Sequence, residues 1–303
     1  MITALAELDP LVEDLLGRHL AAAKEWFPHE YVPWDLGRDF EGHPWEPGDS
    51  SLSPIAQIAM QLNLLTEDNL PSYHLALRDL MGGRGAWGAW IGRWTAEEGR
   101  HSIAIRDYLT VTRGVDPIAL ERERMKHVAN GFAPRRIDGA LEGIIYVTLQ
   151  ELATRIAHRN TGAVCGDPAA ERLMNRVAAD ESLHYAFYRD VASGALELAP
   201  SEMVVALRNQ VIGFSMPGFE LREYRRRALR MARAGIYDLR VHHDQVLCPV
   251  VLKHWKLREL SGLDDRAEAA RDEILGFLTH LDSAAPPPLA SVAPVGLEDQ
   301  ATI

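Results

Sequence analysis

Thiols are scarce: Cys165 and Cys248 are the only cysteines in 303 residues, which excludes a disulfide framework and a four-thiolate metal site. Lone thiols of this kind are expected to be buried and chemically idle. Positive charge is also short. Lys and Arg number 32 against 43 Asp and Glu, a formal charge of −11, so the surface as a whole does not suit phosphate backbones and general nucleic-acid binding is excluded. No run of about 18 apolar residues occurs, so no membrane-spanning helix is expected. The start, Met1-Ile2-Thr3-Ala4-Leu5-Ala6-Glu7, lacks the basic and apolar segments of a secretory leader, and the expected compartment is the cytoplasm. Segments alternating β-branched and aromatic residues between turn signals are few, which disfavours a sheet-based fold.

What the chain has is helical periodicity. It predicts an all-α protein with helices near 9–26, 53–80, 87–113, 117–128, 137–160, 168–193, 201–213, 218–234, 238–260 and 264–281. Gly82-Gly83, Gly114, Gly131, Gly162, Gly194 and Gly235 supply exits, and Pro117, Pro168 and Asp264 suit first turns or caps. The segment 28–52, rich in Pro, Gly, Asp and aromatics, reads as an ordered loop over the helices. One domain is expected over 1–281, followed by a proline-rich disordered tail, 282–303.

Two Glu-x-x-His motifs, Glu98-Gly99-Arg100-His101 and Glu181-Ser182-Leu183-His184, each fall inside a long predicted helix. The spacing puts both side chains on one face, able to reach the same metal. A single such pair arises readily by chance; the order of the flanking helices adds the information. Glu67 stands about 30 residues before the first motif and Glu151 about 30 before the second, each in a predicted helix. A helix with one Glu followed by a helix with Glu-x-x-His is therefore repeated. Folded as a four-helix bundle, the repeat brings four carboxylates and two imidazoles together, the ligand scheme of ferritin-like di-iron and di-manganese proteins. Four buried anions demand compensation, which two divalent cations supply. The set is too hard for thiolate-type zinc and too rich in nitrogen for calcium, so iron or manganese fits best.

Neighbouring residues have plainer readings. Glu97, one position from Glu98, should point about 100° away and lie on the polar face. His74 and His158, seven residues after Glu67 and Glu151, are expected to be packed or supporting histidines. Gly99 costs about 1 kcal/mol of helix propensity, which would make sense if something approaches closely there. Pro71 removes a hydrogen bond to the Glu67 carbonyl and should kink the helix beside a candidate ligand.

The stretches Thr66-Glu67-Asp68-Asn69-Leu70-Pro71, Trp94-Thr95-Ala96-Glu97-Glu98-Gly99-Arg100-His101, Gln150-Glu151-Leu152-Ala153-Thr154, Ala178-Ala179-Asp180-Glu181-Ser182-Leu183-His184 and Ser215-Met216-Pro217 resemble the soluble acyl-ACP desaturases, the plant stearoyl-ACP desaturases and their actinobacterial relatives. The resemblance extends more weakly from about Pro10 to Leu281. It implies an eleven-helix ferritin-like domain, usually a homodimer, that introduces a cis double bond into an acyl chain on acyl carrier protein, using O₂ and electrons from ferredoxin. It implies further that Glu98 and Glu181 bridge two irons, that Glu67 and Glu151 are terminal carboxylates, and that His101 and His184 each bind one iron. By the same resemblance Thr154 lies on the oxygen side, Trp26 and Asp180 surround a ligand histidine as an electron route, and Pro134, Gly143 and Ile144 line a bent acyl channel. The chain departs from the family at Gly99, where Asn is common, and at Ser182-Leu183, where a basic pair is common.

Arg222, Arg225, Arg226, Arg227, Arg230 and Arg233 cluster on one predicted helix. They are either a solvated face or a dock for acidic carrier protein or ferredoxin. Other uses of such a centre are hydroxylation or N-oxygenation of a specialised metabolite, non-enzymatic iron storage, and a radical subunit. The last wants a tyrosine beside the metals, and Tyr185 should point off the ligand face.

Overall fold

A computed structural model describes residues 2–132, 137–219, 221 and 223–285. All regular elements among them are helical: α1 (Ile2–Ala22), α2 (Pro54–Glu67), α3 (Leu70–Met81), α4 (Gly85–Val111), α5 (Pro117–Asn130), α6 (Ala140–Cys165), α7 (Pro168–Leu198), α8 (Pro200–Gly213), α9 (Tyr224–Arg233), α10 (Leu239–Val241) and α11 (Asp265–Ala284). Local chemistry sets the starts. Ser53, Asp116, Asp167 and Asp264 each accept a first-turn N–H at the heads of α2, α5, α7 and α11, satisfying donors that a helix leaves orphaned.

Several expectations are corrected. The single helix foreseen over 53–80 is two: α2 ends at Glu67, and Pro71 sits in the first turn of α3, where its missing N–H is no loss. The helix foreseen from 238 becomes a π-helix over His242–His254, with Trp255 N–H donating back to the Val250 carbonyl at 2.9 Å and Pro249 inside it. α9 starts at Tyr224 rather than near 218, and α11 runs to Ala284 rather than 281; residues 286–303 of the expected tail lie outside the described residues. Cys165 is buried, but Cys248 is only half-buried.

α2 packs on α4 and α6, and α7 packs on the same two, closing a four-helix bundle; α1 lies across α4 and α7, and α3 across α4 and α6. The bundle has two apolar ends. Trp87, Trp90 and Trp94 of α4 pack with Phe187, Tyr188 and Val191 of α7 at one end, while Ala104, Ile105 and Tyr108 of α4 pack with Leu173, Met174 and Val177 of α7 and with α2 at the other. Between them, one turn of α4 and one of α7 are acidic. The 28–52 loop is pinned by Arg113, 2% exposed, whose guanidinium donates to Asp49 at 2.8 Å and to the His43 carbonyl at 2.6 Å. No helix among the described residues is long and apolar enough to cross a membrane.

Candidate metal centre

The acidic layer gathers all six residues of the repeated motif. Glu67 comes from α2, Glu98 and His101 from α4, Glu151 from α6, Glu181 and His184 from α7, and each is buried. Ligand atoms of Glu67, Glu98, His101 and Glu181 lie within 4.8 Å of one another, as do those of Glu98, Glu151, Glu181 and His184. Glu98 and Glu181 belong to both groups. His101 turns Nδ1 inward, 3.4 Å from Glu98 and 3.5 Å from Glu67 and from Glu181. His184 does the same, with Nδ1 2.8 Å from Glu98, 3.3 Å from Glu181 and 3.7 Å from Glu151.

Whether these residues suit a metal pair is decided by what they leave unsatisfied. His101 Nδ1, Glu98 Oε1 and Glu151 Oε2 are fully buried with no hydrogen-bond partner; Glu98 Oε1 is close to His184 but out of line for a bond. Orphans of this kind are costly in a dry core, and they fall in both groups: His101 in the first, Glu151 in the second and Glu98 in each. Burial and the charges of Glu181 and Glu98 push the Glu151 carboxyl well above the ordinary range. Burial opposes charge on His101 and His184, but the surrounding carboxylates outweigh it and hold both imidazoles well above theirs. Protons thus stand where cations fit, and the donor set of carboxylates and imidazoles suits two divalent ions.

The outer layer is richer than the sequence reading allowed. Asp180 receives Trp26 Nε1–H at 2.8 Å and Arg100 at 3.0 Å, and lies 3.4 Å from His101 Nε2. Glu97, expected on the polar face, is instead 3% exposed, with Oε2 3.0 Å from His184 Nε2 and 2.8 Å from His19 Nε2. α4 buries more than one stripe, because α1 covers the flank that an isolated helix would leave wet. Trp94 Nε1–H donates to Glu151 at 3.0 Å, and His158 Nε2 lies 3.0 Å from Glu67. His74 stands apart, paired with Thr95 at 2.7 Å. A Cβ at Gly99 would meet only Leu70 at an ordinary 3.8 Å, so the expected close approach is absent and nothing in the structure explains the glycine.

Two cavities adjoin one another beside the centre, and only the first reaches its carboxylates. The first is walled by Leu77, Leu80, Gly143, Tyr146, Val147 and Phe132 and reaches Glu67, Glu98 and Thr154. Gly143 is on its wall, where a Cβ would stand 3.1 Å from Leu80. Ile144, expected beside it, turns instead into the apolar core, 0% exposed. Pro134 lies outside the described residues. The second cavity runs beneath α9, between Tyr224, Ala228, Met231 and Tyr237, and shares Thr66, Thr154 and Pro217 with the first. Thr154 donates to the Gln150 or Glu151 carbonyl, at 3.0 and 3.1 Å. On the outer face of α9, Arg225, Arg226, Arg230 and Arg233 are exposed, with Arg226 paired to Glu223, whereas Arg227 pairs with Glu123 of α5. Arg222 lies outside the described residues.

Comparison with known proteins fits this geometry. A family model described as fatty acid desaturase matches residues 2–286. DesA1 of Mycobacterium tuberculosis H37Rv, named an acyl-[acyl-carrier-protein] desaturase, is 47% identical over 290 residues, covering 92% of this chain and 86% of that one. The chloroplastic stearoyl-[acyl-carrier-protein] 9-desaturase of Brassica napus is 26% identical over 284 residues, covering 88% and 71%. The X-ray structure of DesA2 from M. tuberculosis H37Rv superposes with a TM-score of 0.71 at 28% identity, covering 88% of this chain and 99% of that one, in keeping with an all-α ferritin-like fold. The chain is a member of the fatty acid desaturase family.

Proposed function

We propose that this protein is an acyl-[acyl-carrier-protein] desaturase whose Glu67, Glu98, His101, Glu151, Glu181 and His184 hold two iron ions. The carrying observation is a mainly apolar cavity that reaches two of the buried carboxylates, Glu67 and Glu98, an arrangement that would bring methylene groups up to a metal pair. The names of the relatives supply the substrate class. Iron bound there would supply O₂ activation and the oxidising power to remove two hydrogens. In balance, a –CH₂–CH₂– unit, O₂, two electrons and two protons give –CH=CH– and two waters.

The chain's own residues do the rest. The cavity wall binds the acyl chain by burial of its methylenes, about 0.8 kcal/mol each, and excludes water from the reacting carbons. Thr154 and Thr66 present hydroxyls where the two cavities join. The outer face of α9 offers cationic docking for acidic carrier protein, and its inner face lines the second cavity, so the carrier and the entering chain meet on one helix. The hydrogen-bonded series Trp26, Asp180, His101 is the route for electrons from a ferredoxin-type donor. The resemblance to the family adds a cytoplasmic homodimer.

Iron-reconstituted protein incubated with reductant, O₂ and a panel of acyl-carrier substrates tests the proposal by product mass. Loss of two hydrogens is expected; gain of one oxygen would make the enzyme a hydroxylase instead, and unchanged substrate with bound iron would favour storage.

A further inference from the structure

We infer that Glu97 and His19 are positioning residues for His184, forming a second outer support that mirrors Asp180 and Trp26 behind His101. The inference rests on the reading of His101 and His184 as metal ligands through Nδ1. A buried imidazole that binds through one nitrogen must place the N–H of the other, and its acceptor fixes tautomer and ring angle. His184 Nε2 meets Glu97 Oε2 at 3.0 Å, and His101 Nε2 meets Asp180 Oδ2 at 3.4 Å.

The match goes further than one contact. Each outer carboxylate directly precedes a shared carboxylate of the centre, Glu97 before Glu98 and Asp180 before Glu181, yet each serves the histidine of the opposite helix. Each also takes one more ring N–H, from His19 at 2.8 Å or Trp26 at 2.8 Å. That ring lies nearly parallel to the histidine it backs: His19 to His184 at 5.9 Å and 21°, Trp26 to His101 at 6.4 Å and 16°. Arginine neutralises both carboxylates, Arg93 at 2.5 Å from Glu97 and Arg100 at 3.0 Å from Asp180. Without its arginine Glu97, 3% exposed, would be an unpaired charge in the interior, which is strongly destabilising.

Titration of metal-free protein with Co²⁺, followed by its visible absorption, tests this without turnover. Two equivalents are expected for the wild type. Glu97→Gln, nearly isosteric, should weaken one of them by about 10–100-fold and leave the other unchanged; Asp180→Asn should weaken the other. His19→Gln should weaken the same equivalent as Glu97→Gln, and Glu97→Gln should add nothing in a His184→Ala background. Two wild-type-like equivalents in Glu97→Gln overturn the inference alone. So does equal weakening of both equivalents with a lowered melting temperature of the metal-free variant, which would mark a merely structural role. A wild type that takes up no metal removes the inference together with the ligand reading on which it rests.

Discussion

His158 Nε2 lies 3.0 Å from Glu67 Oε1 and 3.4 Å from Glu181 Oε1, a cation in waiting beside two carboxylates from different helices. Burial opposes its charge, but hydrogen bonds to Glu181 and Glu67 raise its pKa to about 9. In the metal-free protein this imidazolium contributes stability that is fully present below the unfolded value near 6.5 and is lost as pH rises through about 9.

Metal uptake is therefore expected to release protons from the imidazoles and from Glu151, and to weaken as pH falls, by about tenfold per pH unit for each proton displaced. Calorimetric titration in two buffers of different ionisation enthalpy measures the release directly. Identical heats in both buffers would contradict it.

Gly143 has the first cavity on one side and Leu80 only 3.1 Å from where a Cβ would stand. Gly143→Leu should fill that wall and lower kcat/KM for the longest accepted acyl chain by about tenfold or more, with a smaller effect on shorter chains. The tight contact should also cost about 1–3 kcal/mol of stability. Competition between acyl-carrier substrates of different length reads the first effect and thermal denaturation the second; an unaltered length profile would place the chain elsewhere.

Charge reversal of Arg225, Arg226, Arg230 and Arg233 to Glu should raise KM for acyl carrier protein by roughly tenfold at low ionic strength while leaving kcat at saturation unchanged, and the difference should close as salt rises. These four side chains bury little, so folding should not suffer. If KM and its salt dependence match the wild type, α9 is not the dock.

His242 gives a second, metal-independent pH effect. It is 8% exposed, stacks on Phe214 at 4.8 Å and pairs with the Tyr237 hydroxyl at 2.8 Å. Burial, with a smaller contribution from His243, lowers its pKa to about 4. Because the unfolded chain binds a proton near pH 6.5 and the folded one does not until about 4, stability falls as pH drops across that window, by at most about 3 kcal/mol. His242→Gln keeps an acceptor for Tyr237 without the titration. Denaturant unfolding of the metal-free protein at pH 7 and pH 4.5 should show a smaller acid-side loss in the variant, and parallel curves would refute the assignment.

The repeated motif made the inner centre legible because three-residue spacing on a helix fixes a shared face whatever the partner helices do. Glu97 shows where that logic ends. An ideal helix turns it away from Glu98's face, but α1 covers that side, and no local pattern reports which long-range neighbour will arrive. One signal was present all the same: an acid precedes Glu in both motifs, Glu97-Glu98 and Asp180-Glu181. His19 carried no such mark. The break at Asp68-Asn69 was foreseen only as a kink, since Pro71 fits the head of a new helix as well as the bend of an old one, and Ile144 parted from Gly143 because adjacent helical positions diverge.

His19 and Trp26 are supplied by α1 and the turn just after it, although the six residues proposed to hold the metals lie downstream of residue 60. A recombinant product lacking the first thirty residues would thus keep all six candidate ligands in its sequence and still lose one ring behind each half of its centre, along with Leu8, Val12 and Leu15 of the core.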